Sequence, residues 1–89
     1  MKIQNAKIVN KLGLHARPAA MLVTAASKYV SDVYLTKSGL RVNGKSIMGV
    51  MMLAAEMGSE LTIEVNGPDE DQALADILNV ISCGFGENG

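Results

Sequence analysis

The sequence predicts an α+β open-faced β-sandwich, in which three helices cover one face of a four-stranded, largely antiparallel sheet. Four segments alternate apolar and polar side chains, which is typical of strands in a sheet that is buried on one face only. Three further segments carry apolar residues at helical spacing, and the elements follow the order β-α-β-β-α-β-α. A chain of 89 residues can bury one hydrophobic core, so we expect a single domain over residues 1–89.

The first third of the chain predicts a strand followed by a helix. Residues 3–9 are short, β-compatible and bounded by polar residues, which is typical of a strand. Proline is tolerated only in the first turn of a helix, so Pro18 indicates that the helix begins within a residue or two of Ala16. The apolar residues that would form its buried stripe are Ala19, Leu22, Val23, Ala26 and Val30.

The middle third predicts a β-hairpin and a second helix. Residues 33–36 and 40–43 alternate apolar and polar side chains, and the Ser-Gly pair at residues 38–39 is typical of a hairpin turn. Ser46 is a favourable N-cap for the apolar run that follows, and Gly58 is a favourable residue just past a helix end. The second helix is therefore predicted to lie between these two residues.

The last third predicts a strand and a third helix. Residues 61–65 alternate clearly, and Asp69 with Gln72 three positions later resembles a capping box at the start of a helix that Gly84 ends. The segment 85–89 carries no functional prediction. The buried stripe of the third helix is predicted to comprise Leu74, Ile77, Leu78 and Ile81.

Composition and charge exclude several classes of protein. Eight basic and nine acidic residues give a net charge of −1, so no basic excess favours binding to nucleic acid. No apolar stretch approaches the roughly 20 residues needed to span a bilayer, and the N-terminus lacks the apolar segment of a secretory signal. Cys83 is the single cysteine, which excludes an intramolecular disulfide and a multi-cysteine zinc site. We expect a cytoplasmic monomer without metal or organic cofactor, nucleic-acid partner or membrane insertion.

The single histidine, His15, falls at the predicted N-terminus of the first helix. The first amide N–H groups of a helix lack intrahelical partners and, with the helix dipole, form an anion site. Arg17 adds a permanent positive charge whose geometry suits phosphate oxygens. Imidazole is nucleophilic near neutral pH, so these groups favour a phosphoryl group carried on the ring of His15. The alternatives are a histidine that only caps the helix or lies in a loop, and a general acid–base for which the sequence indicates no partner.

Two segments of the chain resemble the signatures of one known family. Residues 14–19, LHARPA, are similar to the active-site signature of the HPr family, the histidine-containing phosphocarriers of the bacterial phosphotransferase system. Residues 45–51, KSIMGVM, resemble the second signature of that family, around its regulatory serine. The resemblance extends over essentially the whole chain in length, element order and motif position.

The resemblance implies a stoichiometric phosphoryl carrier rather than a turnover enzyme. Members take a phosphoryl group from phosphorylated enzyme I and pass it to enzyme IIA domains. By resemblance, the δ1 nitrogen of His15 would carry that group, Arg17 would help to hold or transfer it, and Ser46 would be the serine that HPr kinase/phosphorylase modifies. No cofactor is implied. The sugar-transport branch and the nitrogen-related branch, whose carrier is often called NPr, both agree with these residues.

The second predicted helix is apolar on two sides. At 100° per residue, Val50 and Leu53 fall with Ala54 and Met57 on one side. A domain of this size can bury one side of the helix, so the methionines of the other side indicate a docking surface for several partners. The alternative is a helix that is buried more deeply. The other side comprises Ile47, Met48, Met51, Met52 and Ala55. The resemblance favours docking through the first two helices, with contacts at Leu14, Ala16, Arg17, Ala20, Ile47, Met48, Met51 and Met52.

A nucleotide-binding pattern is a rival to the carrier hypothesis. Residues 39–46, GLRVNGKS, satisfy G-x-x-x-x-G-K-[ST] between a strand and a helix. However, residues 40–43 alternate like a strand, no other apolar strand ends in an Asp placed for magnesium, and 89 residues are too few for the usual parallel sheet. We therefore expect no nucleotide site. A third hypothesis is an interaction module that keeps the methionine face but makes His15 incidental.

Overall fold

One four-stranded antiparallel sheet forms the base of the computed structural model, which describes residues 1–87. The order across the sheet is β1-β4-β2-β3, and every neighbouring pair is antiparallel. The predicted α+β open-faced architecture is confirmed, although the first strand ends two residues before the predicted position. In chain order the strands are β1 (Lys2–Lys7), β2 (Asp32–Lys37), β3 (Leu40–Asn43) and β4 (Glu60–Asn66).

Three α-helices cover one face of this sheet. They are α1 (Ala16–Ser27), α2 (Ile47–Met52) and α3 (Glu70–Ser82), and a 3-10 turn (Gly84–Gly86) follows α3. The central strand β4 shows why one face is covered: its apolar residues are fully buried under the helices, and the polar residues between them are partly exposed. Burying one such side chain stabilises the fold by about 1.5–3 kcal/mol. The fully buried large residues include Leu22, Leu35, Leu61, Ile63, Ile77, Ile81 and Phe85.

The hairpin between β2 and β3 has the predicted turn. Ser38 and Gly39 have φ angles of 52° and 84°, and Lys37 pairs directly with Leu40. Positive φ at both central residues is typical of a type I′ turn, whose twist matches that of the two strands. Glycine meets this requirement without strain at the second position.

The second helix is shorter than the sequence predicts. It begins after Ser46 as predicted but ends at Met52, and the predicted end near Gly58 is wrong. Ala54 has a φ of 48°, which turns the chain so that the carbonyl of Ala55 accepts a hydrogen bond from the N–H of Leu14 at 2.8 Å. The turn also reverses three predicted orientations. Ala55 is buried, whereas Ala54 and Met57 are exposed.

Two further sequence predictions are wrong around the connection between α1 and β2. Val30 lies beyond the end of α1 and is 73% exposed, so it does not belong to the buried stripe. Asp69 does not form a capping box. Its carboxylate instead accepts hydrogen bonds from the N–H of Val30 and from the N–H and hydroxyl of Ser31. Glu70 accepts a hydrogen bond from the N–H of Gly67 at 3.2 Å.

Asp69→Asn is expected to make the free energy of unfolding fall less steeply as the pH is lowered into the acid range. The Ser31 hydroxyl, followed by the N–H groups of Val30 and Ser31, holds the pKa of Asp69 below its ordinary value of 3.8. A lowered folded-state pKa stabilises the protein above the ordinary value, and this contribution is lost as the pH falls. The difference in free energy of unfolding between parent and variant should therefore shrink between about pH 7 and about pH 3.

Urea unfolding followed by circular dichroism measures this difference. Asp71→Asn is the control, because the Asp71 carboxylate is 79% exposed and makes one ion pair, with Lys2. It should have a smaller effect at both pH values. An effect of Asp69→Asn that is the same at both pH values would contradict the assigned hydrogen bonds.

Candidate functional site

His15 is the N-cap residue of α1, and its backbone rather than its side chain performs the capping. Its φ and ψ angles of −76° and −174° are extended, and its carbonyl accepts a hydrogen bond from the N–H of Ala19 at 3.0 Å. The imidazole makes no capping hydrogen bond. Within residues 1–87, no hydrogen-bond partner is found for the N–H groups of Ala16 and Arg17. The ring therefore lies beside two outward-facing amide donors at the positive end of a 12-residue helix.

The loop before His15 is fixed by a close approach of two backbone segments. Gly13 has a φ of 68°, and a Cβ atom at this position would collide with the carbonyl oxygen of Ala55. Leu14 follows and is 5% exposed, packed in the hydrophobic core. Leu14 was predicted to contact a partner, but its side chain is buried in the core and anchors the loop, so we leave it out of the docking surface proposed below. Ala16 and Arg17 are exposed, and Ala20 is half-buried.

A carboxylate from the other end of the chain contacts the imidazole. Glu87 Oε2 lies 2.7 Å from His15 Nε2 and 3.3 Å from Arg17 Nη1, and Arg17 Nη1 also lies 3.4 Å from the carbonyl oxygen of Phe85. Glu87 Oε1 accepts a hydrogen bond from Asn10 Nδ2 at 2.8 Å. The Asn10 hydrogen bond first, then the contact with His15 and the charge of Arg17, hold the pKa of Glu87 below its usual range. Glu87 is therefore ionised at neutral pH.

The ionised Glu87 carboxylate determines which nitrogen of the His15 ring carries the hydrogen. A carboxylate only accepts hydrogen bonds, so the hydrogen between the two groups belongs to His15 Nε2. In neutral imidazole the other ring nitrogen, Nδ1, then carries a lone pair. No hydrogen bond joins Nδ1 to another residue within 1–87. The arrangement therefore leaves the lone pair of Nδ1 available to a ligand.

The sequence prediction missed Glu87 because it assigned no function to the C-terminal segment. Phe85 is fully buried, and Gly84, Phe85 and Gly86 have φ angles of 63°, 56° and 71°. These left-handed residues turn the chain back towards α1, and the phenyl ring holds the segment there. Phe85 between two glycines could have indicated this contact. Phenylalanine is usually buried, so it predicts that the segment before Glu87 packs against the domain.

The methionine face of α2 is exposed, as one of the two sequence hypotheses predicts. Val50 and Leu53 are buried, and Met48 is 78% exposed. The alternative of a more deeply buried helix is wrong. Ser46 caps this helix, because its hydroxyl oxygen accepts a hydrogen bond from the N–H of Gly49 at 3.1 Å. The exposed apolar residues of the helix are Ile47, Met48, Met51 and Met52.

The segment 39–46 lacks the geometry of a nucleotide-binding loop. Leu40–Asn43 is paired with β2 as strand β3. Lys45 Nζ donates a hydrogen bond to the carbonyl oxygen of Tyr29 at 2.7 Å, and a Cβ atom at Gly44 would meet the side chain of Val33. The two glycines and the lysine thus have structural functions in the hairpin and its connection to α2.

Residues 1–87 contain neither a cluster of metal-binding side chains nor a membrane-spanning helix. No group of three or more His, Cys, Asp or Glu side chains is placed to hold a metal ion. No helix of this part of the chain is long and apolar enough to cross a membrane.

A family model decides the relationship of this chain to known proteins. The model of the PTS HPr component phosphorylation site matches residues 3–82. The chain belongs to the HPr family. It is 52% identical over 80 residues to phosphocarrier protein HPr of Cupriavidus necator, with 90% of each chain covered. Family membership makes it a phosphocarrier-type protein of the phosphotransferase system and argues against a plain interaction module.

Solved structures of the family have the same fold. The structure of HPr-C-His from Thermoanaerobacter tengcongensis superposes with a TM-score of 0.96 at 42% identity, with both chains covered completely. A structure described as an HPr dimer from the same organism has a TM-score of 0.79 at 42% identity and covers 98% of this chain and 100% of that one. The order of elements derived from the sequence is therefore the order of the HPr fold.

Proposed function

We propose that His15 Nδ1 accepts a phosphoryl group from phosphorylated enzyme I and passes it to enzyme IIA domains of the sugar phosphotransferase system. This proposal rests on the hydrogen bonding of the two ring nitrogens: Nε2 is bound to Glu87, and Nδ1 has no hydrogen-bond partner in the described chain. In the transfer, the Nδ1 lone pair bonds to phosphorus while the bond from phosphorus to the donor breaks. The bonding electron pair leaves with the donor.

Arg17 supplies positive charge for the phosphoryl oxygens. Its side chain is 57% exposed, and its hydrogen bonds within residues 1–87 involve Nη1 alone. The donors on Nη2 and Nε therefore remain for an incoming phosphoryl group, together with the free N–H groups at the start of α1. Phosphoryl transfer needs mainly positioning and charge stabilisation from a protein, so a small carrier can supply its half while the partner completes the site.

A continuous surface beside His15 is proposed to bind both enzyme I and enzyme IIA. The helices α1 and α2 pack against one another, and the N–H of Leu14, just before α1, donates to the carbonyl of Ala55, shortly after α2. We define the docking surface as Ala16, Arg17, Ala20, Ile47, Met48, Met51 and Met52. Methionine side chains are flexible and polarizable, so this surface suits several different partners. We propose that the carrier acts in the cytoplasm as a monomer, which leaves this surface free.

Ser46 is proposed as a regulatory site that HPr kinase/phosphorylase modifies. Ser46 immediately precedes Ile47 and Met48 of the docking surface in the sequence. A phosphate on Ser46 would add about −1.5 to −2 charges, which a partner would have to desolvate on docking. The similarity of residues 45–51 to the regulatory signature of the family supports this assignment. The HPr names of the relatives support the sugar branch over the nitrogen-related branch.

The proposed chemistry is tested with His15→Ala and Arg17→Ala. Each variant is incubated with phosphoenolpyruvate and enzyme I, and the intact mass reports whether one phosphoryl group is added. His15→Ala should take up none. Arg17→Ala should accept about 10- to 100-fold more slowly, because charged hydrogen bonds to the phosphoryl oxygens are lost. Acid-labile phosphate on His15→Ala, or an unchanged rate for Arg17→Ala, would contradict the assigned functions.

Met48→Glu should weaken binding to enzyme I without unfolding the protein. The side chain is exposed, so the charge is tolerated in the free protein but must be desolvated in a complex. Leu40→Glu is the matched control, because Leu40 is an exposed apolar residue at the end of the hairpin and outside the docking surface. Calorimetric titration and thermal melting measure both properties. Equal binding by the two variants would place the docking surface elsewhere.

Ser46→Asp should melt near the parent temperature but accept the phosphoryl group more slowly. The carboxylate can still accept the hydrogen bond from the N–H of Gly49, so the cap is retained. Its negative charge borders the docking surface and opposes binding. Ser38→Asp is the control, since it adds the same charge at an exposed turn position. Equal rates for these two variants and the parent would refute inhibition through charge at Ser46.

A further inference from the structure

Three methionines lie together on the exposed face of α2. Met51 and Met52 follow Met48 by three and four positions, so their side chains are neighbours of Met48 on one side of the helix. Met48, Met51 and Met52 are 78%, 42% and 66% exposed. Met21 in α1, by contrast, is half-buried and packs against the hydrophobic core. The docking surface therefore presents three thioether side chains to the solvent.

We propose that Met48, Met51 and Met52 form a site of reversible oxidation that controls partner binding. This inference rests on the proposed docking function of the same surface. Oxidation turns the thioether of methionine into a polar sulfoxide, and this change disrupts surfaces that are rich in methionine. Because the oxidant must reach the sulfur atom, the exposed fractions predict that Met48 and Met52 react before Met51, and that Met21 reacts last.

The oxidant in this reaction is hydrogen peroxide. A lone pair of the methionine sulfur bonds to one oxygen of the peroxide, and the O–O bond breaks. The second oxygen takes the electrons of that bond and both hydrogens and leaves as water. The sulfur is thereby oxidised by two electrons, and the peroxide is reduced. A methionine sulfoxide reductase reverses the change: two thiols of that enzyme become a disulfide, the oxygen leaves as water, and the thioether is restored.

A sulfoxide changes the docking surface without changing the fold or the histidine. Its oxygen is a hydrogen-bond acceptor that water satisfies in the free protein, and a partner with apolar groups has to remove that water on binding. Val50 and Leu53 hold α2 against the core and contain no sulfur, so the helix should keep its place. The His15 ring remains chemically the same. Oxidation is therefore expected to weaken binding and raise KM, with little effect on the maximal rate of transfer.

The test measures binding to enzyme I before and after treatment with hydrogen peroxide, which is removed before the titration. Calorimetry should give a dissociation constant about tenfold higher for the oxidised protein, because unpaired polar atoms are covered in the complex. Peptide mass mapping should find the added oxygen atoms at Met48, Met51 and Met52. Sulfoxide reductases MsrA and MsrB, one for each epimer, should restore the original constant. Thermal melting checks that the oxidised protein remains folded.

Leucine variants identify the methionines that are responsible. The triple variant Met48→Leu, Met51→Leu and Met52→Leu keeps an apolar surface without sulfur, so peroxide should leave its own initial binding constant unchanged. Met57→Leu is the matched control, because Met57 is 58% exposed but lies outside the docking surface. It should stay as sensitive to peroxide as the parent. All proteins carry Cys83→Ser, since the exposed thiol of Cys83 also reacts with peroxide.

Three results would overturn the oxidation site. They are unchanged binding by a protein that carries sulfoxide at all three positions, loss of binding by the peroxide-treated triple variant, and binding that the reductases do not restore. A different result would refute the proposed function itself, namely that the folded, untreated parent neither binds enzyme I nor accepts a phosphoryl group from it. This measurement precedes the peroxide treatment, so the two failures are distinguishable.

Discussion

The central strand β4 buries Leu61, Ile63 and Val65 completely, whereas Thr62 and Glu64 between them remain partly exposed. The buried apolar side chains of the sheet are therefore covered from one side, where α1 and α3 contact one another. This one-sided burial fixes where the helix ends lie. The residue before α1 and the segment after α3 meet at the same end of the helical layer, since His15 contacts Glu87 across 72 positions of sequence. The candidate site follows from the packing of the core rather than from any single motif.

The loop between β1 and α1 depends on a buried polar side chain. Asn10 donates from Nδ2 to the carbonyl oxygen of Gly13 and to Glu87, and its Oδ1 has no hydrogen-bond partner within the described protein. Asn10 thus joins the loop before His15 to the C-terminal segment and helps to fix the geometry of the site.

Sequence reasoning succeeded where structure is determined by near neighbours. The alternation in β4, the turn at Ser38 and Gly39 and the N-cap at Ser46 each depend on residues within a few positions of one another. It failed where a distant segment decides the conformation. The second helix stops because Ala54 takes a left-handed conformation that lets the carbonyl of Ala55 accept a hydrogen bond from Leu14. Alanine rarely adopts this conformation, so the residue type at position 54 does not predict it. The hydrogen bond between Asp69 and Ser31, just before β2, likewise joins two residues that are 38 positions apart in the sequence.

The candidate site likewise combines residues that are near neighbours in the sequence with one that is distant. His15 and Arg17 lie two residues apart and were recognisable from spacing and resemblance, whereas the Glu87 contact exists only in the folded chain. Before transfer, the charges of Arg17 and Glu87 offset one another. In the proposed transfer a phosphoryl group brings about −2 charges, the ring gains one positive charge and Arg17 supplies another, so that with Glu87 the charge of the site changes from neutral to about −1. The carboxylate then opposes the phosphoryl charge while stabilising the ring, so the bond to phosphorus is held without being over-stabilised. A carrier must release its group as readily as it accepts it, and a site that is slightly negative after transfer meets that condition better than a purely cationic one.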